Sequence, residues 1–409
     1  MSPLPAPQPD AWPPPPPAWS PSALHAVEAC PRRWALQRAH FDAYDGPFPR
    51  RPAPAAIAGR VVHKSVERVI EALRDASVRS VRAPETAEVL RRLGGLSAVV
   101  RVALDEALAE AAKSPRFQSS EAATRRKVEA SEGELREAVQ STLSSLPSIP
   151  ERRRAVPPRP APVGATPVSV CEIGRSPIRR PLRDGAYTEI DLRSNTPPLY
   201  GRADILFRSG KDTHIIDVKT GSPSPSHEDQ VRLYGLAWLQ DGERNPSGDP
   251  AITLSLQYGA QRVPVPSPNS WEEYQATVEA RVEAACGAVR SSPPPARPER
   301  DRCRHCGVRA VCDVYTASPS LWYDQGAVFR DMVVDVSEVQ DVAAPYTEAT
   351  VRLAPGRQRP VRIKADSRWT TEAGGRYIIL DGREVDGQDD KAAFQLLIPT
   401  SSTEVFEIV

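Results

Sequence analysis

Two apolar runs, "YGRADILF" and "HIIDVKTG", are joined by the short turn "RSGKD". A connection this short permits an antiparallel hairpin and excludes a parallel crossover. The spacing predicts strands over 199–207 and 213–219. In the second strand Ile215 and Ile216 read as buried, and Asp217 and Lys219, two residues apart, share one face while Val218 points the other way. Asp204 lies on the first strand. A carboxylate and an ammonium at a strand end are often a surface ion pair of small energetic weight. Two carboxylates on adjacent strands beside a lysine also suit a metal-dependent active site.

The hairpin lies between helical blocks. Residues 20–40, 55–75, 84–113 and 119–146 have helical character, with Pro31 dividing the first and Cys30 at the break. Val62, Val66, Val69, Ile70 and Leu73 give the second its apolar stripe. After the loop "PSIPERRRAVPPRPAPVGATP" the period changes to that of strands, over 168–173 and 186–193 and into the hairpin. A helix over 226–241 follows, with Ser226 and Asp229 in a capping-box pattern. A strand over 251–258 and a helix over 270–289 come next. The expected class is α/β (α+β), and the 44 prolines cluster so as to separate structured blocks. Residues 1–19 read as a disordered or polyproline II tail. Residues 20–320 read as the main domain, with a helical insertion over about 84–146. Residues 325–409, with several short strands, read as a small all-β domain like an OB or SH3 barrel only in strand count and length.

Net charge is +1, so any nucleic-acid surface must be local. Basic runs over 150–183 and 297–309 are candidates, as are Trp369, Tyr346, Tyr377 and Phe394 with neighbouring arginines in the β domain. No apolar stretch is long enough to span a membrane, and the N-terminus lacks a secretory pattern, so a cytoplasmic location is expected. No G-x-x-x-x-G-K-[ST] loop is present, which assigns any ATP-driven unwinding to a helicase or other protein partner.

Oxygen ligands on adjacent strands suit Mg²⁺ or Mn²⁺. Asp204, Asp217 and the backbone carbonyl of Val218 are the expected ligands. A water on such an ion is a ready nucleophile, and Lys219 orients it or stabilises charge on a phosphate. Gln230 and Tyr234, four apart, share a helix face and either contact substrate or hold the lysine. His63, in register with Gly59 and Glu67, is a further metal ligand or phosphate contact. Glu172 opens the first strand and faces the same site. Gly201 lets a substrate backbone approach.

In this order, His63, Glu172, Gly201-x-x-Asp204, Asp217-x-Lys219 and Gln230-x-x-x-Tyr234 resemble the PD-(D/E)XK nuclease superfamily, in its RecB-, AddB- and Cas4-like branch. The first acidic signature reads "GRAD" here. The resemblance implies a restriction-endonuclease-like mixed sheet flanked by helices. It implies phosphodiester hydrolysis in DNA, as an exonuclease or endonuclease, with His63, Asp204 and Asp217 on the metal. It also implies Lys219 in catalysis and Gln230 and Tyr234 positioning DNA. The settings it suggests are DNA processing, recombination or anti-phage defence. A catalytically inactive DNA-binding or scaffold subunit is the alternative.

Cysteines stand at 30, 171, 286, 303, 306 and 312. The C-x2-C-x5-C run points to metal ligation, and zinc with His305 or a distant cysteine is one solution. The layout of one cysteine before the core, in "EACPRRW", and three after it resembles the iron–sulfur members of the same branch. That resemblance implies a [4Fe–4S] cluster on Cys30, Cys303, Cys306 and Cys312, a staple closing a loop of about 270 residues.

Overall fold

The computed structural model describes residues 3–78, 80–118, 120–146, 179–322, 329–339, 346–354, 357–364, 366, 369–388, 393–400 and 402–408. Chain order begins with β1 (Leu4–Pro5), α1 (Pro21–Ala29), α2 (Pro31–Leu36), α3 (Pro54–Asp75), α4 (Glu85–Arg92), α5 (Leu96–Ala112), α6 (Glu121–Ala130) and α7 (Glu132–Ser145). It continues with β2 (Gly185–Asn195), β3 (Pro198–Ser209), β4 (Asp212–Lys219), α8 (Pro225–Gln240), β5 (Ile252–Tyr258), β6 (Gln261–Val265) and α9 (Trp271–Arg290). Short helices α10 (Arg300–Arg304), α11 (Asp313–Thr316) and α12 (Pro319–Trp322) carry the cysteine segment. The β domain holds β7 (Phe329–Val339), β8 (Tyr346–Ala354), β9 (Arg357–Lys364), β10 (Arg376–Gln388), β11 (Ala393–Ile398) and β12 (Glu404–Glu407).

A mixed sheet in the order β2-β3-β4-β5-β6 forms the centre, antiparallel except for the parallel β4–β5 pair. The apolar run of β4 is continuous because both of its faces are covered. Ile216 and Val218 join α3, α5 and α7 in one core, while Ile215 joins Leu206, Leu254 and the inner face of α8 in another. The helices α1, α2 and α9 pack outside α8. In the β domain β7-β8-β9-β11-β10 close on themselves through a β10–β7 pairing, with β9 and β11 parallel.

Several expectations are corrected. The proline-rich N-terminus is a strap across two sheets, from residue 3 onward. β1 pairs in parallel with β12, and Trp19, fully buried, stacks against Trp34 at 5.3 Å between ring centres. Trp19 also accepts from Tyr200 and donates to Pro198. Proline makes this inexpensive, since it lacks an N–H to satisfy and loses little backbone freedom. The N–H groups of Ala6, Asp10 and Trp19 all find carbonyls.

Residues 84–113 form two helices because Gly94 and Gly95 both take positive φ, 81° and 85°, and end α4. Ser224 caps α8 in place of Ser226, with Pro225 in the first turn. Asp229 is drawn away from capping by His25 and Arg281, at 2.6 Å and 2.8 Å, and by Tyr274. β6 was not expected. Tyr377 lies in the barrel core, its hydroxyl accepting from Glu372, which removes it as a base-stacking platform. Arg179 is bound to buried Asp241 and serves structure. The strand expected over 168–173 and most of the 150–183 basic run lie outside the described residues.

Candidate active site

The β3–β4 ladder runs from Ser209↔Asp212 to Ile205↔Ile216 and then stops. Continuing the register, the next pair is Asp204 and Asp217, so both carboxylates sit where the strands part. Asp204 Oδ2 replaces the missing ladder bond by accepting from the Val218 N–H at 2.7 Å. The N–H and carbonyl of one strand residue point to the same side, so the Val218 carbonyl also faces this gap. From the β4–β5 side, pairing continues through Lys219↔Tyr258 and holds β4 rigid.

Asp217 is almost wholly buried. The Gln230 amide donates to its Oδ1 at 3.3 Å and to Tyr234 Oη at 2.7 Å, while Gln230 Oε1 accepts from Lys219 Nζ at 3.0 Å. Lys219 Nζ stands 2.7 Å from Asp217 Oδ2, an ion pair that holds the ammonium on its second side. The expected helix face of Gln230 and Tyr234 therefore holds the lysine. Gly201 has a different use from the one expected: a Cβ there would meet the Tyr234 ring at 2.7 Å, so the glycine makes room for the tyrosine rather than for a substrate.

His63 reaches the cluster from α3, with Nδ1 3.3 Å from Asp204 Oδ1. Gly59, one turn earlier, allows the helix close to the loop after Lys219, since a Cβ there would lie 3.1 Å from Thr220 Oγ1. The fourth ligand-type residue is Glu189 on β2, which sequence reasoning missed. His63, Glu189 and Asp204 each offer a ligand atom within 4.8 Å of the others. Glu189 lies opposite Asp204 in the β2–β3 register, which pairs Thr188 with Ile205 and Ile190 with Ala203. That register was the available signal. Its φ of 48° is left-handed, a costly state for a glutamate that clusters at functional sites. Glu172, expected in this role, lies outside the described residues.

The electrostatics follow from crowding. Burial, then the Asp204 charge, pushes the Asp217 carboxyl up to about 7 despite Lys219 and His63. Burial, Asp204 and Glu67 raise Glu189. Burial would lower His63, but the hydrogen bond and charge of Asp204, with Asp217 and Glu189, raise it overall. Three carboxylates this close repel one another until a cation shares them. With an imidazole alongside them, the donor set fits a hard divalent ion.

The cysteines form a second centre. Burial raises the Cys306 thiol, with Cys30 and Cys303 adding to the shift, and burial with Cys306 alongside pushes the Cys312 thiol up to about 12. The four therefore share one neighbourhood, at the junction of α1, α2 and the barrel. Cys30 Sγ accepts from the Arg297 N–H at 3.5 Å. Arg302 donates to the Ala29 carbonyl, clamping the two segments. Among the described residues no three of these sulfurs lie within 4.8 Å of one another. Cys286 accepts from Trp19 Nε1 at 3.4 Å and takes no part.

The family model of the PD-(D/E)XK nuclease superfamily matches residues 18–313, a span holding His63, Asp204, Asp217, Lys219, Gln230, Tyr234 and all four clustered cysteines. No curated protein matches. Among solved structures the chain is similar to the crystal structure of SSO0001, with 21% identity and a TM-score of 0.22 over 32% of this chain and 61% of that one, less than two thirds of its length.

Proposed function

The chain belongs to the PD-(D/E)XK nuclease superfamily, and from that premise we propose that it is a metal-dependent deoxyribonuclease of the RecB- and Cas4-like type. The observation that carries this reading is the parted β3–β4 ladder, which aims Asp204 and Asp217 at one point beside a fixed lysine. His63, Glu189, Asp204, Asp217 and the Val218 carbonyl would hold Mg²⁺ or Mn²⁺. When bound, such an ion polarises the phosphate and makes water a nucleophile near neutral pH. Lys219 supplies the remaining electrophile: Gln230 and Asp217 fix its ammonium on two sides, leaving a donor for charge that builds on a phosphate oxygen. Tyr234, through Gln230, sets the geometry of that pair.

Lys219 also lines a cavity of about 330 Å³ between α3, α7 and the loop after β4, with Thr220 and Tyr258, which supports entry of the substrate from that side. The assignment is tested by incubating wild type and Lys219→Ala with labelled single- and double-stranded DNA in Mg²⁺ and Mn²⁺. Cleavage by wild type and its loss in the variant are expected. Equal cleavage in both, or none in wild type, rejects the catalytic reading and leaves a DNA-binding scaffold. The products report polarity and any preference for ends.

We infer a [4Fe–4S] cluster on Cys30, Cys303, Cys306 and Cys312. The shared neighbourhood of the four cysteines, one before the core and three after it, supports this reading, with zinc as the alternative. Protein purified without oxygen should be brown and contain about four irons and four sulfides per chain; colourless, zinc-loaded protein rejects the cluster. The barrel's strand order and its parallel β9–β11 pair support an OB-like accessory domain over an SH3-like one. DNA-end processing, recombination or defence fits such an enzyme, with a separate ATPase for any unwinding.

A further inference from the structure

A second cavity, of about 500 Å³, lies where the start of α3, the first turns of α6, the cysteine segment and the barrel meet. Arg51, Lys127, Arg304, His305 and Arg309 line it, and Asp381 is the carboxylate among the described lining residues. Asp381 is already shared by Arg51 and Arg309, at 2.8 Å and 3.0 Å. Lys127 and His305 are exposed, and among the described residues neither side chain makes an ion pair or hydrogen bond. The cavity thus has a net positive lining with unspent donors. A walled basic cavity of this kind favours a phosphate group, since the walls raise the local field above that of an open surface.

Its position gives it a specific use. The cavity at Lys219 is lined by the same elements, α3 on one side and the α6–α7 pair on the other. Ala53, the N-cap of α3, and Pro54 line the basic cavity, and Ala58 and Val62 line the catalytic one. On the other wall the lining passes from Lys127 to Ser131 and Leu135. From Pro54 to Val62 the helix rises about 12 Å. A stacked strand advances about 3.4 Å per nucleotide, so this distance corresponds to three or four phosphates.

We propose that the basic cavity binds a backbone phosphate of the DNA strand undergoing cleavage, three to four nucleotides from the phosphate at Lys219. This rests on the nuclease reading above. It makes the strand run from the barrel junction along α3 to the catalytic lysine, and it sets a minimum length for tight binding.

The test uses the full chain and fluorescein-labelled single-stranded oligonucleotides of two to twelve nucleotides. Affinity is read by anisotropy in metal-free buffer over a range of salt, so binding is scored independently of cleavage. Wild type should gain affinity in a step once the oligonucleotide exceeds about four nucleotides. Lys127→Glu should lose about tenfold or more on the longer oligonucleotides. It should also lower the slope of log affinity against log salt by about 0.7 or more. Lys127→Arg should restore both. Thermal melting checks that each variant is folded. Unchanged affinity and salt slope at every length overturns the proposal, as does a loss equal at all lengths that arginine does not rescue. Inorganic phosphate that binds wild type without competing with the oligonucleotide reassigns the cavity to a free anion and overturns it too. Wild type that binds no oligonucleotide overturns the nuclease reading itself.

Discussion

Replacing Gly201 with alanine should damage a site it never touches chemically. A Cβ at this position would stand 2.7 Å from Tyr234 Cε1 and 2.8 Å from Cδ1, where ordinary contact begins near 3.4 Å. The Tyr234 ring is buried and wedged in the core beneath the sheet, so it must move by roughly 0.7 Å or the strand must bend. Overpacking of this kind costs about 1–3 kcal/mol. A shifted ring takes with it the Tyr234–Gln230 hydrogen bond, and Gln230 is what places Lys219 and Asp217. The expected outcome is a melting temperature lower by several degrees and a kcat reduced at least about tenfold, equivalent to about 1.4 kcal/mol of lost transition-state stabilisation. A double-mutant cycle isolates the cause: in a Tyr234→Leu background the added methyl should cost little. If Gly201→Ala melts and cleaves like wild type, or costs the same with and without the tyrosine ring, the relay from Gly201 to Lys219 is wrong.

Two further outcomes follow from the electrostatics and packing. Asp217 holds its proton up to about pH 7 in the folded chain, against 3.8 ordinarily. The folded state therefore binds this proton more tightly than the unfolded state, and stability present below about pH 4 is lost as pH rises toward 7. A divalent ion reverses that loss, so Mn²⁺ should raise the melting temperature more at pH 8 than at pH 5, and at a hundredfold excess over Kd at pH 8 it should stabilise the fold by about 2.7 kcal/mol; an equal shift at both pH values contradicts the carboxylate site. Arg116, fully buried, makes a bidentate pair with Glu404 at 2.8 Å, donates to the carbonyls of Pro49 and Gly307, and lies against the rings of Phe48 and Phe406. Arg116→Ala should destabilise the chain by about 3–5 kcal/mol in urea unfolding, with Arg51, 3.2 Å from Glu404, limiting the loss.

The central hairpin was legible because its signals are local. Period, turn and the two-residue spacing of Asp217 and Lys219 fix which side chains share a face, and the helix spacing of Gln230 and Tyr234 does the same. Glu189 was hidden because its place depends on strand register across a turn and on a left-handed φ that no side-chain pattern announces. The role of Gly201 was misread for a related reason: an absent side chain shows that something comes close, but only packing shows what. The N-terminal strap was taken for a tail because proline-rich composition describes an unpartnered chain, whereas here Trp12 and Trp19 anchor it, Trp12 facing the Arg32 guanidinium at 5.2 Å. Asp229 shows the limit from the other direction, since a sound capping pattern lost to stronger partners on α1 and α9.

Asp217→Asn tests the metal-site account most directly, because it separates folding from function. Asparagine keeps the shape and removes a buried charge that the surrounding carboxylates disfavour. In metal-free buffer at pH 8 the variant should therefore melt at a higher temperature than wild type. In Mg²⁺ or Mn²⁺ its cleavage of labelled DNA should fall about a thousandfold. A variant that cleaves DNA at the wild-type rate, or one that is inactive only because it has become less stable, contradicts the account.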